Sequence, residues 1–315
     1  MQTNLSKSIL VTGGAGFVGT HLSRKLVQLG YEVRVIDLRK PTTVVDGVEY
    51  VQGDVRNAEL LDSLVARAGT VYHLAATVSV PLCQKDPIDS YSNNLTATLM
   101  VLEAIRKNSA TREKPIRLVF ASTAALYGSM GDDGRALKEE DVASEFFSFY
   151  AAQKHASEKA IELYRSALGI PAVVYRFFNI FGPGQDPSSP YSGVITIFSK
   201  FAREGRPMPL NAGGIQTRDF ISVYDIANAC AAAMSLPVEK WDAKPMNLGT
   251  GKSITVRQLA EMIREISGGR SEITTAPARE GDVIHSLADI SRARAVIGFK
   301  PEHDLKTGLI QLLRE

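Results

Sequence analysis

The sequence predicts an α/β protein with a doubly wound parallel sheet and a smaller C-terminal α/β domain. Short β-branched runs alternate with amphipathic stretches up to about residue 180, which is the pattern of parallel βαβ units. Some runs, such as residues 118–121, are apolar throughout, as expected of strands that are covered on both faces. From about Phe181 this rhythm gives way to a segment rich in Gly, Pro, Ser and Asp, which indicates loops and the start of a second domain.

The individual elements follow from this alternation. The predicted strands are residues 8–12, 32–37, 48–52, 70–74, 116–121 and 171–176. The predicted helices are residues 16–29, 57–67, 88–108, 147–168, 194–203, 222–236, 255–266 and 305–314. Residues 222–236 are interpreted as returning to the first domain. We therefore expect one domain of residues 1–178 and 221–244 and another of residues 179–220 and 245–315. Ligands are expected at the carboxyl ends of the parallel strands.

Composition argues against several classes of protein. The chain has 315 residues, 44% of them hydrophobic, and a formal net charge of +2 without long basic runs, so nucleic acid is not an expected partner. Cys83 and Cys230 lie far apart and lack His or Cys neighbours at ligand spacing, which gives no support for a disulfide framework or a metal site. Neither a signal peptide nor a membrane-spanning run is evident, so a cytoplasmic location is expected.

A glycine loop follows the first predicted strand. Gly13, Gly16 and Gly19 form a G-x-x-G-x-x-G pattern, and Phe17 and Val18 begin the helix behind it. Such a turn needs residues without Cβ where the backbone approaches a pyrophosphate, and the N-terminus of the helix offers unpaired N–H groups to that anion. The loop predicts a dinucleotide site, with an ordinary glycine-rich turn between strand and helix as the alternative.

Acidic residues end or follow the next two strands. Asp37 ends the second strand about twenty residues after the loop, where a carboxylate accepts hydrogen bonds from an adenosine ribose. Its charge repels a 2′-phosphate and so favours NAD over NADP, although Arg39 lies close enough to weaken this preference. Asp54 and Val55 follow the third strand and are candidate adenine contacts, with a simple turn at the end of a strand as the alternative.

A Tyr/Lys pair lies further along the chain. Tyr150 and Lys154 are four residues apart on a predicted helix and therefore share one face. A nearby ammonium favours the phenolate, so we expect the tyrosine to act as a base well below its free pKa of about 10. Alone, the pair is also consistent with a solvated helix face. Combined with the glycine loop, it predicts a redox enzyme that acts on a carbon bearing oxygen.

With these motifs, the chain resembles the extended short-chain dehydrogenase/reductase family, in its nucleotide-sugar epimerase and dehydratase branch. Further landmarks run in the order of the family along almost the whole chain: Gly53-Asp54-Val55, His73-Leu74-Ala75-Ala76, Ala121-Ser122-Thr123, Tyr127-Gly128, the run from Arg176 to Gly182, the run from Gln216 to Asp225, Asn247-Leu248-Gly249 and the run from Arg279 to Asp282. The resemblance implies a Rossmann domain that binds NAD. It also places Leu74, Ala75 and Ala76 along the cofactor, and Asn94 and Phe178 near its nicotinamide end.

The resemblance implies roles for the catalytic groups as well. Thr123 bonds the substrate oxygen that is oxidised and relays its proton to Tyr150, while Lys154 contacts the nicotinamide ribose. Members that eliminate water or decarboxylate usually carry acidic residues just after this hydroxyl, whereas this chain has Ala124 and Ala125. Methyl groups cannot exchange protons, so what remains is the set needed for reversible oxidation at one carbon, as in a 4-epimerase.

Substrate contacts are likewise implied by the resemblance. The predicted substrate-binding residues are Ser79, Thr123, Asn179, Val194, Asn211, Arg218, Arg279, Asp282 and Ser286. The two arginines suit a diphosphate, and the helix that begins at Val194 offers N–H groups to it. Ser286 stands where epimerases restricted to glucose and galactose carry a bulky aromatic residue, so a 2-acetamido group is allowed. Asn211 stands where many members carry an aromatic residue that stacks on the base. This position therefore does not require uracil, and UDP is expected because it is the commonest nucleotide in the family.

The function predicted is therefore an NAD-dependent 4-epimerase of a UDP-hexose or UDP-N-acetylhexosamine. A UDP-glucuronate 4-epimerase, a nucleotide-sugar dehydratase or a keto-sugar reductase are the nearest alternatives. A dinucleotide-binding sensor or scaffold and a steroid or flavonoid dehydrogenase are more distant. Relatives form a helical dimer bundle, so a homodimer through helices 88–108 and 147–168 is expected.

Overall fold

Parallel strands and the helices that connect them make up most of the chain. The computed structural model describes residues 5–185, 193–278 and 282–314. The strands are β1 (Ser8–Thr12), β2 (Glu32–Asp37), β3 (Val48–Gln52), β4 (Thr70–His73), β5 (Arg117–Thr123), β6 (Ala172–Phe177), β7 (Asn179–Phe181), β8 (Met208–Asn211), β9 (Thr217–Arg218), β10 (Phe220–Ser222), β11 (Asp242–Leu248), β12 (Ile254–Thr255), β13 (Ile273–Ala276) and β14 (His285–Ser286).

The helices connect and flank these strands. They are α1 (Phe17–Gln28), α2 (Ala58–Val65), α3 (Val80–Lys85), α4 (Pro87–Tyr91), α5 (Ala97–Ser109), α6 (Phe149–Leu168), α7 (Val194–Glu204), α8 (Val223–Ala232), α9 (Val256–Ile266), α10 (Ser291–Ile297) and α11 (Leu305–Arg314). Single 3₁₀ turns cover Leu5–Lys7, Ala124–Tyr127, Ala212–Gly214, Ala233–Ser235 and Val238–Lys240, and a π-helical turn covers Ser92–Thr96. None of the helices within the described residues is long and apolar enough to cross a membrane.

The central sheet has the strand order β11-β6-β5-β4-β1-β2-β3. The chain moves outward from β1 to β3, then returns to the other side of β1 and continues through β4, β5 and β6. The pairs β1–β2, β2–β3, β1–β4 and β4–β5 are all parallel. The switch point therefore lies between β1 and β4, where Thr12 is in register with His73. Open α/β sheets bind ligands at this point.

The core and the caps explain why these segments fold as they do. All five residues of β1 are buried, and the apolar face of the sheet packs against α2, α5 and α6 in one hydrophobic cluster. Helix α6 begins with Ser148, whose hydroxyl accepts from the N–H of Ala151, and ends with Gly169 in the left-handed conformation. Helix α9 has a capping box between Thr255 and Gln258.

The chain separates into two units, each with its own core. The first comprises the described residues within Met1–Leu126, Ser148–Arg176 and Ala227–Met246, and the second those within Tyr127–Phe147, Phe177–Ile226 and Asn247–Glu315. The second unit contains the small sheets β10-β7, β12-β9-β14 and β13-β8. Its hydrophobic cluster joins α7, α9 and α11. The segment Tyr127–Phe147 groups with the second unit, whereas the predicted boundaries placed it in the first domain.

The predicted fold class is confirmed, and several elements differ from prediction. The segment after Phe181, predicted as loops with one helix, also contains β8, β9 and β10, α10 was not predicted, and the predicted helix 222–236 ends as α8 at Ala232. The predicted helix 88–108 is divided into α4, the π-helical turn Ser92–Thr96 and α5, and a short helix, α3, precedes it. Pro87 at the start of α4 cannot continue a helix from Lys85, which explains why α3 and α4 are separate helices. Strand β11 adds a seventh strand that the sequence pattern did not resolve, because Pro245 and the charges at Asp242 and Lys244 hide its alternation.

Candidate active site

The glycine loop is packed so tightly that side chains do not fit. Gly13 has a φ of +69°, and a Cβ built there would lie 2.6 Å from the backbone nitrogen of Ala75. A Cβ at Gly19 would lie 2.5 Å from the carbonyl oxygen of Gly13, and one at Gly16 would lie 3.2 Å from the same atom. The loop after β1 and the segment after β4 therefore approach each other through backbone atoms, which only residues without Cβ allow.

The N-terminus of α1 and Asp37 lie beside this loop. Gly16 is the N-cap of α1 and provides no side-chain hydrogen bond, and the first turn, which Phe17 and Val18 begin, contains no acidic residue. The helix thus offers N–H groups and a positive dipole end to an anion. The carboxylate of Asp37 accepts from the N–H of Ala15 at 3.1 Å and from the N–H of Arg39 at 3.0 Å. Donors for a pyrophosphate and an acceptor for a ribose thus lie next to each other, and the residues fit NAD.

Asp54 and Val55 differ in what they offer to a ligand. Three hydrogen bonds of 2.7–3.1 Å from the guanidinium of Arg56 engage the carboxylate of Asp54. These bonds lower the pKa of Asp54. The side chain of Val55 is 8% exposed and belongs to the core. Both side chains are engaged within the protein, so a contact of this segment with adenine would be made by its backbone.

The segment after β4 is fixed by hydrogen bonds to β1 and to the π-helical turn. Leu74 N–H donates to the carbonyl oxygen of Thr12 at 3.1 Å, and Ala75 N–H donates to the hydroxyl of Thr12 at 3.2 Å. Ala76 follows, half-buried. Asn94, in the π-helical turn, accepts from Thr77 N–H at 2.7 Å and donates to Thr77 O at 3.0 Å.

The amide of Asn94 also reaches the helix that carries the Tyr/Lys pair. Its Nδ2 donates to Oε1 of Gln153 at 2.6 Å, and Nε2 of Gln153 donates to the hydroxyl of Ser90 at 2.8 Å. Both N–H groups of Asn94 are therefore used within the protein. The predicted contact of Asn94 with the nicotinamide end remains a prediction, whereas the structure gives it the role of a clamp between Thr77 and α6. Functional sites often use such π-helical turns.

Tyr150 and Thr123 meet in the first unit. Thr123 ends β5, and its hydroxyl lies close enough to the side chain of Tyr150 to favour the phenolate. Tyr150 is 8% exposed, and burial raises its pKa to about 12, although the hydroxyl of Thr123 opposes this shift. This differs from the expectation that the pKa of Tyr150 lies below 10. The cause is that removal from water disfavours the phenolate more than the groups around it favour it.

Lys154 lies one turn after Tyr150 and is 2% exposed. Its ammonium donates to the carbonyl oxygen of Ala121 at 2.7 Å and lies 4.6 Å from the ring centre of Phe120. Burial lowers the pKa of Lys154 to about 8, and the charge of Glu158 opposes this shift. The positive charge of Lys154 is therefore bonded to β5 and lies one helical turn from Tyr150.

His73 supports the same region from the switch point. Its Nδ1 lies 2.7 Å from the hydroxyl of Thr12, and its Nε2 lies 3.1 Å from the hydroxyl of Thr98. Because Thr98 gives its own proton to the carbonyl of Asn94 at 2.6 Å, Nε2 of His73 must be the donor and Nδ1 the acceptor. Burial, together with the charge of Lys154, lowers the pKa of His73 to about 3, so the ring is neutral.

Two cooperating polar groups were missed by sequence reasoning. Glu158 is 6% exposed and accepts from the hydroxyl of Ser122 and from the guanidinium of Arg176. Gln153 occupies the position before Lys154 and is fully buried. The signal for Glu158 was available, since it lies four residues after Lys154 and therefore follows on the same helix face.

In the second unit, Arg218 and Asp282 are brought together. The guanidinium of Arg218 donates to Asp282 at 2.7 Å, and Nε2 of Gln216 donates to the other carboxylate oxygen at 3.1 Å. Ser286 is in register with Arg218 across β14 and β9. Asn211 ends β8, and its carbonyl oxygen accepts from Gln216 at 3.2 Å. Gln216 thus links Asn211 to Asp282, and Asp282 in turn accepts from Arg218.

Other predicted contacts lie elsewhere in the second unit. Asn179 and Val194 line one cavity of about 200 Å³, together with Gln185 and Phe220. Val194 begins α7, and its N-cap, Gly193, gives no side-chain hydrogen bond. Phe178 is buried against Tyr127, with ring centres 6.0 Å apart.

Ser79 and Arg279 complete the set of predicted substrate contacts. In the first unit, Ser79 caps α3 by accepting from Leu82 N–H at 3.2 Å. Its own proton remains available to a ligand. Arg279 lies outside the described residues. Within the described ranges, no cluster of three or more His, Cys, Asp or Glu occurs that could hold a metal ion.

Comparison with known proteins agrees with this geometry. A model of the NAD dependent epimerase/dehydratase family matches residues 9–249. A putative UDP-glucose 4-epimerase of Methanocaldococcus jannaschii is 33% identical over 307 residues, which cover 96% of this chain and 95% of the relative.

Solved structures are similar over almost the whole chain. The UDP-glucose 4-epimerase of Thermus thermophilus in complex with NAD has a TM-score of 0.86 at 32% identity, covering 98% of each chain. The UDP-N-acetylglucosamine 4-epimerase of Methanobrevibacter ruminantium, in complex with UDP-N-acetylmuramic acid, also has a TM-score of 0.86, at 31% identity, covering 98% of this chain and 97% of the other.

Proposed function

Because the chain belongs to the NAD-dependent epimerase/dehydratase family, we propose that it is a 4-epimerase of nucleotide sugars, acting on a UDP-hexose or a UDP-N-acetylhexosamine. The observation that carries the proposal is the proximity of the Tyr150 side chain to the Thr123 hydroxyl at the end of β5, with a buried ammonium one helical turn away. This set exchanges a proton with a hydroxyl.

The residues proposed to hold the cofactor belong to the first unit, apart from Phe178. They are Gly13, Gly16, Phe17, Val18, Gly19, Asp37, Asp54, Val55, Leu74, Ala75, Ala76, Asn94, Tyr150 and Lys154. When bound, NAD+ would supply the acceptor and donor of the hydride exchanged with C4, and the positive charge of its ring would favour the phenolate of Tyr150. The N–H groups at the start of α1 bind the pyrophosphate, and Asp37 accepts from the adenosine ribose.

Tyr150 is the proposed acid and base. It takes the proton of the sugar 4-hydroxyl, either directly or through the hydroxyl of Thr123, while C4 is oxidised to a ketone. After the 4-keto sugar has turned, Tyr150 returns the proton to the oxygen on the other face. Lys154 contacts the nicotinamide ribose and stabilises the phenolate by its charge. The positions that follow Thr123 are Ala124 and Ala125, which supply no acid or base for elimination at C5.

The second unit is proposed to hold the nucleotide. Arg218 and Arg279 bind the diphosphate, Asp282 accepts from the nucleotide ribose, and Asn179 with the N-terminus of α7 completes the anion site. Ser79 and Asn211 are further proposed contacts. A firm hold on the nucleotide lets the sugar turn between the two hydride transfers. The short side chain of Ser286 leaves space for a 2-acetamido group.

The direct experiment is to incubate the purified protein with UDP-glucose, UDP-N-acetylglucosamine and UDP-glucuronate and to separate the 4-epimers by chromatography. We expect epimers of at least one of the first two sugars, without stoichiometric consumption of NADH. Tyr150→Phe should lose at least about 100-fold in kcat. Tyr164→Phe is the matched control, since Tyr164 lies on the same helix and bonds Glu103. A 4-keto-6-deoxy sugar or a decarboxylated product would contradict the proposal.

A homodimer is proposed to form through α5 and α6. Helix α6 exposes Leu163 to 65% and Leu168 to 52%, which is costly for a helix that faces only water. Light scattering at working concentration should give twice the mass of 34.2 kDa, and a monomer would exclude this assembly.

A further inference from the structure

Three consecutive residues at the end of β5 contact three residues on one face of α6. Thr123 lies next to the side chain of Tyr150, Ala121 O accepts from Lys154, and the hydroxyl of Ser122 donates to Glu158. The helix residues are spaced by four, so the three contacts fall on three neighbouring turns of one helix face. Two of these pairs belong to the proposed reaction. The third, between Ser122 and Glu158, has no part in it so far.

Glu158 is a buried charge with a complete set of partners. Nε of Arg176 donates to its Oε1 at 2.9 Å, and Nη2 donates to its Oε2 at 2.6 Å. The side chains of Arg176 and Glu158 are 3% and 6% exposed. A buried ion pair contributes little to stability compared with an apolar replacement. Stability therefore does not explain why this ion pair lies one turn after Lys154.

The groups around Lys154 identify that explanation. Within the described residues, the titratable neighbours that interact with it are Glu158 on α6, His73 at the end of β4 and Cys83 on α3. His73 has a pKa of about 3, and burial raises the pKa of Cys83 above its ordinary value, so both are neutral near pH 7. The carboxylate of Glu158 is then the negative charge that offsets the burial of Lys154.

We propose that Glu158 is a positioning residue of the reaction, which acts through Lys154 and Ser122. Its carboxylate keeps the proton on Lys154, and its bond to Ser122 holds the end of β5, and with it Thr123, against α6. Arg176 balances the charge of Glu158 and fixes its orientation by two parallel hydrogen bonds. The role in the reaction rests on the proposed epimerase function, whereas the effect on the proton of Lys154 does not.

The test is a titration of the Lys154 ammonium by ¹H–¹⁵N NMR, with its signal assigned by its absence in Lys154→Met. Glu158→Gln should lower the midpoint by about one pH unit, because the offsetting charge is removed and Arg176 remains. Arg176→Gln should raise the midpoint, because Glu158 then acts unbalanced. The two variants make opposite predictions, so either one decides the matter if the other fails to fold.

Ser122→Ala is the matched control, since it removes a contact of Glu158 without removing its charge. We expect the midpoint of Lys154 to be unchanged in this variant. Epimerase kinetics separate the second part of the proposal. Glu158→Gln should lower kcat most strongly above pH 7 and leave the KM for the nucleotide sugar within about twofold, because the second unit binds the nucleotide.

The outcomes distinguish the two levels of inference. An identical midpoint in the wild type and in folded Glu158→Gln and Arg176→Gln would overturn the proposal. A shifted midpoint in a protein that epimerises none of the three sugars would instead retain the electrostatic role of Glu158 and overturn the function proposed above.

Discussion

The ammonium of Lys154 donates to the carbonyl oxygen of Ala121 at 2.7 Å, within a nearly water-free part of the first unit. Burial lowers the pKa of Lys154 to about 8, which means that the folded protein holds this charge at a cost. Groups that are kept in place against stability are typical of functional sites.

Lys154→Met should therefore stabilise the protein while it removes activity. We expect unchanged stability or a gain of about 1–3 kcal/mol in the free energy of unfolding near pH 7, and a loss of at least about 100-fold in kcat. Chemical unfolding and epimer formation measure the two effects. Lys159→Met on the same helix is the control, because Lys159 is exposed and pairs with Glu162, and it should change neither quantity by much. A large loss of stability in Lys154→Met would contradict this interpretation.

Gly13→Ala should abolish binding of NAD. The residue has a φ of +69°, and its new Cβ would lie 2.6 Å from the backbone of Ala75. Gly30→Ala is a matched control, because Gly30 has a φ of +80° with no heavy atom within 4 Å of the Cβ position. Gly30→Ala should cost about 1 kcal/mol of stability and retain the cofactor. Calorimetric titration with NAD and thermal unfolding distinguish the two. Equal affinity for NAD in both variants would show that the close approach at Gly13 has no role in binding.

His73 should make the protein sensitive to acid. Its pKa is about 3 in the folded protein against 6.5 as the ordinary value, so below pH 6.5 the unfolded state binds more protons than the folded state. The stability that the neutral ring provides is present above pH 6.5 and falls as the pH decreases toward 3. About 2 kcal/mol is expected to be lost between pH 6.5 and 5.

Urea unfolding at both pH values measures this loss for the wild type and for His73→Gln, which cannot titrate in this range. The variant should show the smaller difference between the two pH values. His285→Gln, in the second unit, controls for the removal of an imidazole and should retain the acid dependence. The same loss in His73→Gln as in the wild type would assign it to other groups.

Arg218→Gln should raise the KM for the nucleotide sugar by about 10- to 100-fold with little change in kcat, because an anchor for the nucleotide acts equally before and during the reaction. Binding of UDP, measured by calorimetry, should weaken by the same factor. Arg206→Gln is the control, since Arg206 is exposed and pairs with Glu204 in the same unit. Unchanged UDP binding would remove Arg218 from the proposed substrate contacts.

Periodicity was sufficient for much of the fold. The bounds of β1, β2 and β3 agree with prediction, and so do those of α11, because their apolar patterns are uninterrupted and end at Gly, Pro or charged residues. The short helix α3 and the π-helical turn Ser92–Thr96 were missed, since the predicted helix began only at residue 88 and its apolar residues continue with helical spacing through the turn. Strand β11 was missed because Pro245 and the charges at Asp242 and Lys244 hide its alternation, so only its pairing in the sheet identifies it as a strand.

The site, like the fold, was predictable in part. Spacing alone identifies Tyr150 and Lys154 as neighbours on α6, but whether a charge is buried depends on residues far away in the sequence. The sign of the shift in the pKa of Tyr150 was therefore unavailable from the motif. The partnership of Glu158 with Arg176 likewise joins residues 18 positions apart, which no local pattern specifies.

The π-helical turn Ser92–Thr96 makes the length of this segment as important as its composition. Such a turn holds one residue more than a regular helical turn. Deletion of a single residue before Asn94 would restore regular winding and rotate the following side chains by about 100° around the axis. The N–H and C=O groups of Thr77 would then both lose their hydrogen bonds to Asn94. We therefore expect active variants of this chain to keep the length of this segment.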